Sequence, residues 1–170
     1  MILGMSTSSF TLLHVILSLI GIAAGFVVVA GMFGSKPLKG WTALFLAATI
    51  LTSVTGYFFP NDHVTPAQIL GAVSLVVLAI AVLAYYGYRF AAAWRWVYVV
   101  TALVALYLNV FVLVAQSFQK LPWLHALAPT QAEPPFVVTQ LVVLVAFVAV
   151  GFAALRAFHP VPTAPELRPR

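Results

Sequence analysis

The sequence predicts an all-α membrane protein, a polytopic bundle of five transmembrane helices, from three observations. Of its 170 residues, 64% are hydrophobic and only 6% charged, whereas soluble domains carry about a quarter charged residues. Several apolar runs exceed the roughly 18 to 20 residues needed to cross a hydrocarbon core about 30 Å thick. The few basic residues sit at the ends of these runs and not within them. Lipid is therefore the main solvent, and one domain over residues 1–158 is expected, followed by a Pro-rich cytoplasmic tail, 159–170, expected to be disordered.

The first span is read at about 10–33. The segment before it, MILGMSTSSF, has no basic stretch, so this run is expected to be a retained helix and not a cleaved signal peptide. His14, Ser18, Gly21 and Gly25 recur at spacings of four, three and four and share one face. Gly21 and Gly25 form a G-x-x-x-G, which lets another helix backbone approach closely. Packing within the molecule is the favoured reading, a dimer face the other, and Gly31 near the helix end is expected to be the more tolerant glycine.

The second span, about 41–59, follows the loop GSKPLKG with Lys36 and Lys39 and carries Thr42, Thr49, Thr52 or Ser53, and Gly56 on one stripe. Membrane Ser and Thr commonly bond back to their own helix carbonyls, so this stripe alone is weak evidence of a site. Pro60 stops the helix, and PNDHVTP brings Asp62 and His63. Thr65, Pro66 and Gln68 fit a capping box that opens the third span, about 69–86.

Tyr85, Tyr86, Tyr88, Trp94 and Trp96 beside Arg89 and Arg95 have the character of a headgroup interface. The fourth span, about 96–118, places Ala102, Ala105, Asn109, Val112 and Gln116 along one face, expected to point into the bundle. In the long loop that follows, residues 122–127 can form a short interfacial helix anchored by Trp123. The fifth span, about 136–158, has Thr139 and Gln140 near its start and Arg156 at its end.

Five spans put the termini on opposite sides. Every Lys and Arg except Lys120 falls on the carboxyl-terminal side, which favours the amino terminus outside and the carboxyl terminus in the cytoplasm of a bacterial inner membrane. Asp62, His63, His125 and Glu133 then form a polar lid on the outer face. At 1.5 Å per residue, His14, Thr55 and Gln140 lie roughly 5 to 9 Å below the outer boundary, and Thr52 and Asn109 roughly 11 to 15 Å. With Gln116, these predict a polar vestibule open to the outside and closed below by small and aliphatic packing. Unpaired amides in lipid cost several kcal/mol, so Asn109, Gln116 and Gln140 are expected to face one another or enclosed water.

Other chemistry is weighed against simple packing. The net charge of +5 is dispersed, without the basic patch that nucleic acid requires. There is no cysteine, which removes disulfides, thiolate catalysis and Cys-based metal sites. The histidines and acids come from separate segments with no H-E-x-x-H spacing, so no metal site is predicted. A bis-His haem lacks a second histidine at the depth of His14, and Glu133, next to Pro134 and Pro135, reads most simply as a cap of the last span. No nucleophile with a positioned base is found, and no cofactor is predicted, haem or quinone being the outside options.

The stretches GWTALFLAATILTSVTGYFFP (40–60), LYLNVFVLVAQ (106–116) and LHALAPTQAEPPF (124–136) resemble uncharacterised small bacterial integral inner-membrane proteins. That resemblance covers most of the chain and brings no function with it. Five spans in this length are also similar to the tryptophan-rich sensory protein family, which implies porphyrin or sterol binding; its Trp- and Pro-dense motifs are absent, and none of its residues is carried over. Three functions are thus expected in order: a vestibule that binds, senses or passes a small molecule; a non-catalytic accessory subunit of a larger membrane complex, or a homo-oligomer, docking by the Gly21/Gly25 face or by its lipid-facing aliphatics; and an oxidoreductase with quinone or haem at the outer leaflet.

Overall fold

The computed structural model describes residues 1–160, so all but His159 and Pro160 of the expected disordered tail lies outside the described residues. Six α-helices follow in order: α1 (Thr7–Phe33), α2 (Lys39–Thr55), α3 (Pro66–Val82), α4 (Trp94–Lys120), α5 (Pro122–Leu127) and α6 (Pro134–Ala157). A 3-10 turn, Gly56–Phe58, prolongs α2, and a π turn, Leu83–Gly87, prolongs α3. All but the short α5 are long and apolar enough to cross a membrane.

Helix ends follow local chemistry. The Ser6 hydroxyl accepts from the Ser9 amide, which starts α1 one turn before the first apolar run. Thr65 and Gln68 form the expected reciprocal capping box, with Pro66 at the first position of α3. Prolines open α5 and α6 in the same way, where their missing N–H costs nothing. Observed spans therefore start two or three residues before the apolar segments read from the sequence, because caps, prolines and basic or interfacial residues open the first turns.

Neighbours in sequence pack as neighbours in space: α1 on α2, α2 on α3, α3 on α4, and α4 on α6, with α1 closing against both α4 and α6. The centre is α4. Of its most apolar stretch 44% is buried, against 6% for α6, although both have nearly the same hydropathy. Gly25 is what allows α1 to reach α4, since a Cβ there would lie 2.6 Å from Leu106 Cδ1 and 3.0 Å from the Phe45 ring. Gly21 meets the Thr49 hydroxyl at 3.0 Å in the same sense. The glycine face is thus filled by the molecule's own helices and is not a dimer surface. Gly31 corrects an expectation. Its Cβ would meet Leu38 and, at 2.9 Å, the carbonyl oxygen of Lys36, so the turn after α1 folds back and makes this terminal glycine as crowded as Gly25.

At the carboxyl-terminal face the helices are locked. Tyr85, Phe90, Tyr98 and Phe158 form an aromatic cluster with centroids 5.1 to 6.0 Å apart. Arg95 Nη1 donates to the carbonyls of Leu155 and Phe158, the open end of α6. Ser35 Oγ donates to Ala157 O at 2.7 Å and accepts from the His159 amide. Arg89, Phe90 and Ala92 all adopt positive φ in the α3–α4 turn, strain of about 1 to 3 kcal/mol each that the cluster around Phe90 holds in place.

Candidate functional site

The amino-terminal face carries the loops after α2 and around α5, and the polar residues of the predicted vestibule lie along the helices below it. They divide into two groups on different sides of α4. The first is a seam where α1, α2 and α4 meet.

His14, two turns into α1 and half-buried, places Nδ1 2.8 Å from Thr55 Oγ1 at the end of α2. Thr55 also bonds back to Leu51 O at 2.8 Å and to Thr52 O at 3.1 Å. Phe59 meets the imidazole edge to face at 5.4 Å, and Phe10 joins Phe58 and Phe59 to extend that aromatic wall.

Deeper in the seam, Asn109 Nδ2 donates to Thr49 Oγ1 at 3.2 Å, next to Gly21. Thr52 is buried and returns its hydroxyl to Ala48 O. Asn109 therefore ties α4 to α2, and the absence of a side chain at Gly21 makes room for the pair.

Gln116 departs from the expected convergence. By the helix period it lies within about 20° of Asn109, yet it is exposed, because the enclosure around Asn109 does not extend two turns further toward the end of α4. Among the described residues it does not pair with the other amides. Gln140 is separated too. It is buried, and its Nε2 donates to Phe111 O at 3.1 Å, which binds α6 to α4. Positions 109 and 111 differ by about 200° around the helix, so Gln140 works on the side of α4 away from Asn109; its Oε1 has no partner among the described residues. Asn109, Gln116 and Gln140 thus do not face one another.

The expected lid is exposed and dispersed. Asp62, His63 and His125 lie at the surface, and among the described residues no three His, Asp or Glu side chains gather as a metal ion would need. Glu133 occupies the N-cap position of α6, but its carboxylate does not cap the helix. It accepts instead from the Thr130 amide, the Thr130 hydroxyl at 2.8 Å and the Ala132 amide. Desolvation pulls its carboxyl upward, but these hydrogen bonds outweigh it and hold the group below its ordinary value. The expected cap is thus a lock of the preceding loop, since the two prolines that follow offer no N–H and the Phe136 amide donates to the Glu133 carbonyl.

Two tyrosines that organise the bundle, Tyr98 and Tyr57, were not singled out by sequence reasoning, and the pairing of Ser53 with Ser74 was not foreseen. Tyr98 meets the Thr42 hydroxyl at 3.4 Å, Ser53 donates to Ser74 at 3.3 Å, and Tyr57 donates to Gln68 O at 2.7 Å. Two apolar concavities also flank α6. One is lined by Leu103, Tyr107, Leu144, Phe147 and Gly151 among others, and one by Val138, Leu141, Val142, Val145 and Ala146. Neither includes a residue of the polar seam.

Five membrane-spanning helices in an all-helical bundle define the class: a multi-pass membrane protein. No family model, curated protein or solved structure matches the chain.

Proposed function

We propose that the protein binds a small molecule in a cleft between α1, α2 and α4 that opens at the amino-terminal face, which is the outer face of a bacterial inner membrane. The observation that carries this reading is the half-buried imidazole of His14, held at Nδ1 by Thr55. In this reading the buried pair of Asn109 and Thr49 closes the inner end of the cleft, near the buried Thr52. Gln140 belongs to the α4–α6 contact and is not part of this site, and Asp62, His63, His125 and Glu133 shape only the surface around its mouth.

The orientation rests on charge. Lys36, Lys39, Arg89, Arg95 and Arg156 all gather at the carboxyl-terminal face, where positive-inside sorting retains them. In intact cells, Asn61→Cys and Gln131→Cys should react with an impermeant thiol reagent and Ala91→Cys should not. Labelling of Ala91→Cys alone would invert the orientation. For the site, mass spectrometry of the purified protein should find a small molecule that co-purifies with the wild type and is lost in His14→Phe. No such molecule, or its full retention in His14→Phe, would refute the cleft.

A second reading is favoured by α6, only 6% of whose most apolar stretch is buried. In it the chain is a non-catalytic subunit of a larger membrane complex, or a homo-oligomer, docked along α6. With the Gly21/Gly25 face occupied, α6 is the surface left for such a partner. Co-purification of a second membrane protein in mild detergent, lost on Val145→Trp, is its test.

A further inference from the structure

We infer that the ligand of this cleft donates a hydrogen bond to Nε2 of His14, and that it is a neutral, apolar molecule carrying a hydroxyl on a ring, a phenol or the quinol form of a quinone. The inference rests on the cleft reading above and adds the chemistry of what enters. It starts from Thr55. A threonine hydroxyl has one hydrogen, and that of Thr55 is taken by the helix carbonyls, Leu51 O at 2.8 Å and Thr52 O at 3.1 Å. At its 2.8 Å contact with His14 Nδ1, Oγ1 is then the acceptor. Nδ1 carries the ring proton, and Nε2 of the neutral imidazole carries a lone pair.

That lone pair has no donor among the described residues, and Nε2 is not one of the buried side-chain atoms sealed off without a partner. Its surroundings select the donor. A charged donor would have to shed its hydration at this depth in lipid. A neutral hydroxyl avoids that cost, and Phe59 at the imidazole with the exposed Phe58 next to it in sequence offers edges and faces against which another ring packs well. The imidazole lies about 10 Å along α1 from its first residue, a depth suited to a molecule that partitions into lipid.

The experiment uses the full chain in lipid nanodiscs with isotope-labelled histidine and two probes, para-hexylphenol and its O-methyl ether, which differ in the donor alone. In the protein without probe, nitrogen NMR should show His14 protonated at Nδ1 and not at Nε2. The phenol should shift the Nε2 resonance and bind about tenfold more tightly than the ether, the scale of one hydrogen bond. His14→Phe should remove that preference while keeping the aromatic packing. Thr55→Val, which frees the ring to exchange tautomers, should weaken the phenol several-fold and leave the ether unchanged. A proton on Nε2 before probe addition, equal binding of the two probes, or an unmoved Nε2 resonance with both would each overturn the inference. Equal binding that is lost in His14→Phe would refute the ligand class alone. The cleft itself falls only with the mass-spectrometric result described above.

Discussion

In the half of α4 nearest the carboxyl-terminal face, Tyr98, Val99, Ala102, Leu103, Ala105 and Leu106 are all buried, whereas in the other half only Asn109 and Phe118 are. The closed half is held by an aromatic cluster, by Arg95 on the end of α6 and by the glycine contact of α1 with Leu106. The open half is held by single hydrogen bonds, His14 to Thr55, Asn109 to Thr49 and Gln140 to Phe111 O. The open half also carries more polar residues, Asn109, Gln116, Ser117, Gln119 and Lys120 against Arg95 and Thr101, so composition and packing differ together. In lipid, close packing and hydrogen bonds replace the hydrophobic effect as the force between helices, and here they are spent on different ends.

The comparison breaks most sharply at the glycines. Gly25→Leu forces a side chain into Leu106 and Phe45, and overpacking of that kind costs about 1 to 3 kcal/mol or more. It should abolish folding or lower the thermal midpoint in detergent by the largest margin of the changes described, matched only at Gly31. Gly31→Leu should be comparably severe, because the Lys36 carbonyl cannot yield. At the other end, Gly56→Ala should be tolerated, since its Cβ would meet only His14 Cε1 at 3.8 Å. Equal damage at Gly25 and Gly56 would mean that the two halves are packed alike.

Next in size is Arg95→Gln, which removes the charged donor from Leu155 O and Phe158 O. Hydrogen bonds to charged groups contribute about 1.5 to 3 kcal/mol, so the end of α6 should become sensitive to limited proteolysis at Phe158 while α1 to α3 stay protected. Asn109→Leu probes the open half and should be milder, about 0.6 kcal/mol for an interhelical hydrogen bond in a membrane. Loss of the co-purifying small molecule with an unchanged thermal midpoint is the expected outcome. A large fall in stability would make Asn109 a structural tie and weaken the cleft.

The smallest effect belongs to the loop before α6. Its depressed carboxyl makes the Glu133 lock fully present above the ordinary value of 4.5 and lost as the pH falls through the lowered one in the folded protein. Hydrogen exchange at the Thr130 amide, which donates to that carboxylate, should therefore lose its protection in acid. In Glu133→Gln protection should be low at every pH, and a pH-dependent loss that persists there would assign the lock to another group.

What the sequence determined by itself is everything that depends on neighbours along the chain. Span number, the capping box at Thr65 and Gln68, the proline starts and the short helix 122–127 follow because each backbone polar group in lipid must find its partner within its own helix. The uneven polarity of the two ends was legible too, from the depths of His14, Thr55 and Asn109. Which partner each side chain takes was not. Asn109 and Gln116 share a helical face and yet one is buried and the other exposed; Gln140 lies at vestibule depth and yet serves α6. Gly31 was read as tolerant because a turn that folds back on it cannot be seen in the spacing of residues. Only the tertiary structure decided these, for a physical reason: a helix apolar on most of its faces does not announce which face meets lipid and which meets another helix, and that choice is made by the fit of small residues and the direction of a few hydrogen bonds across the bundle.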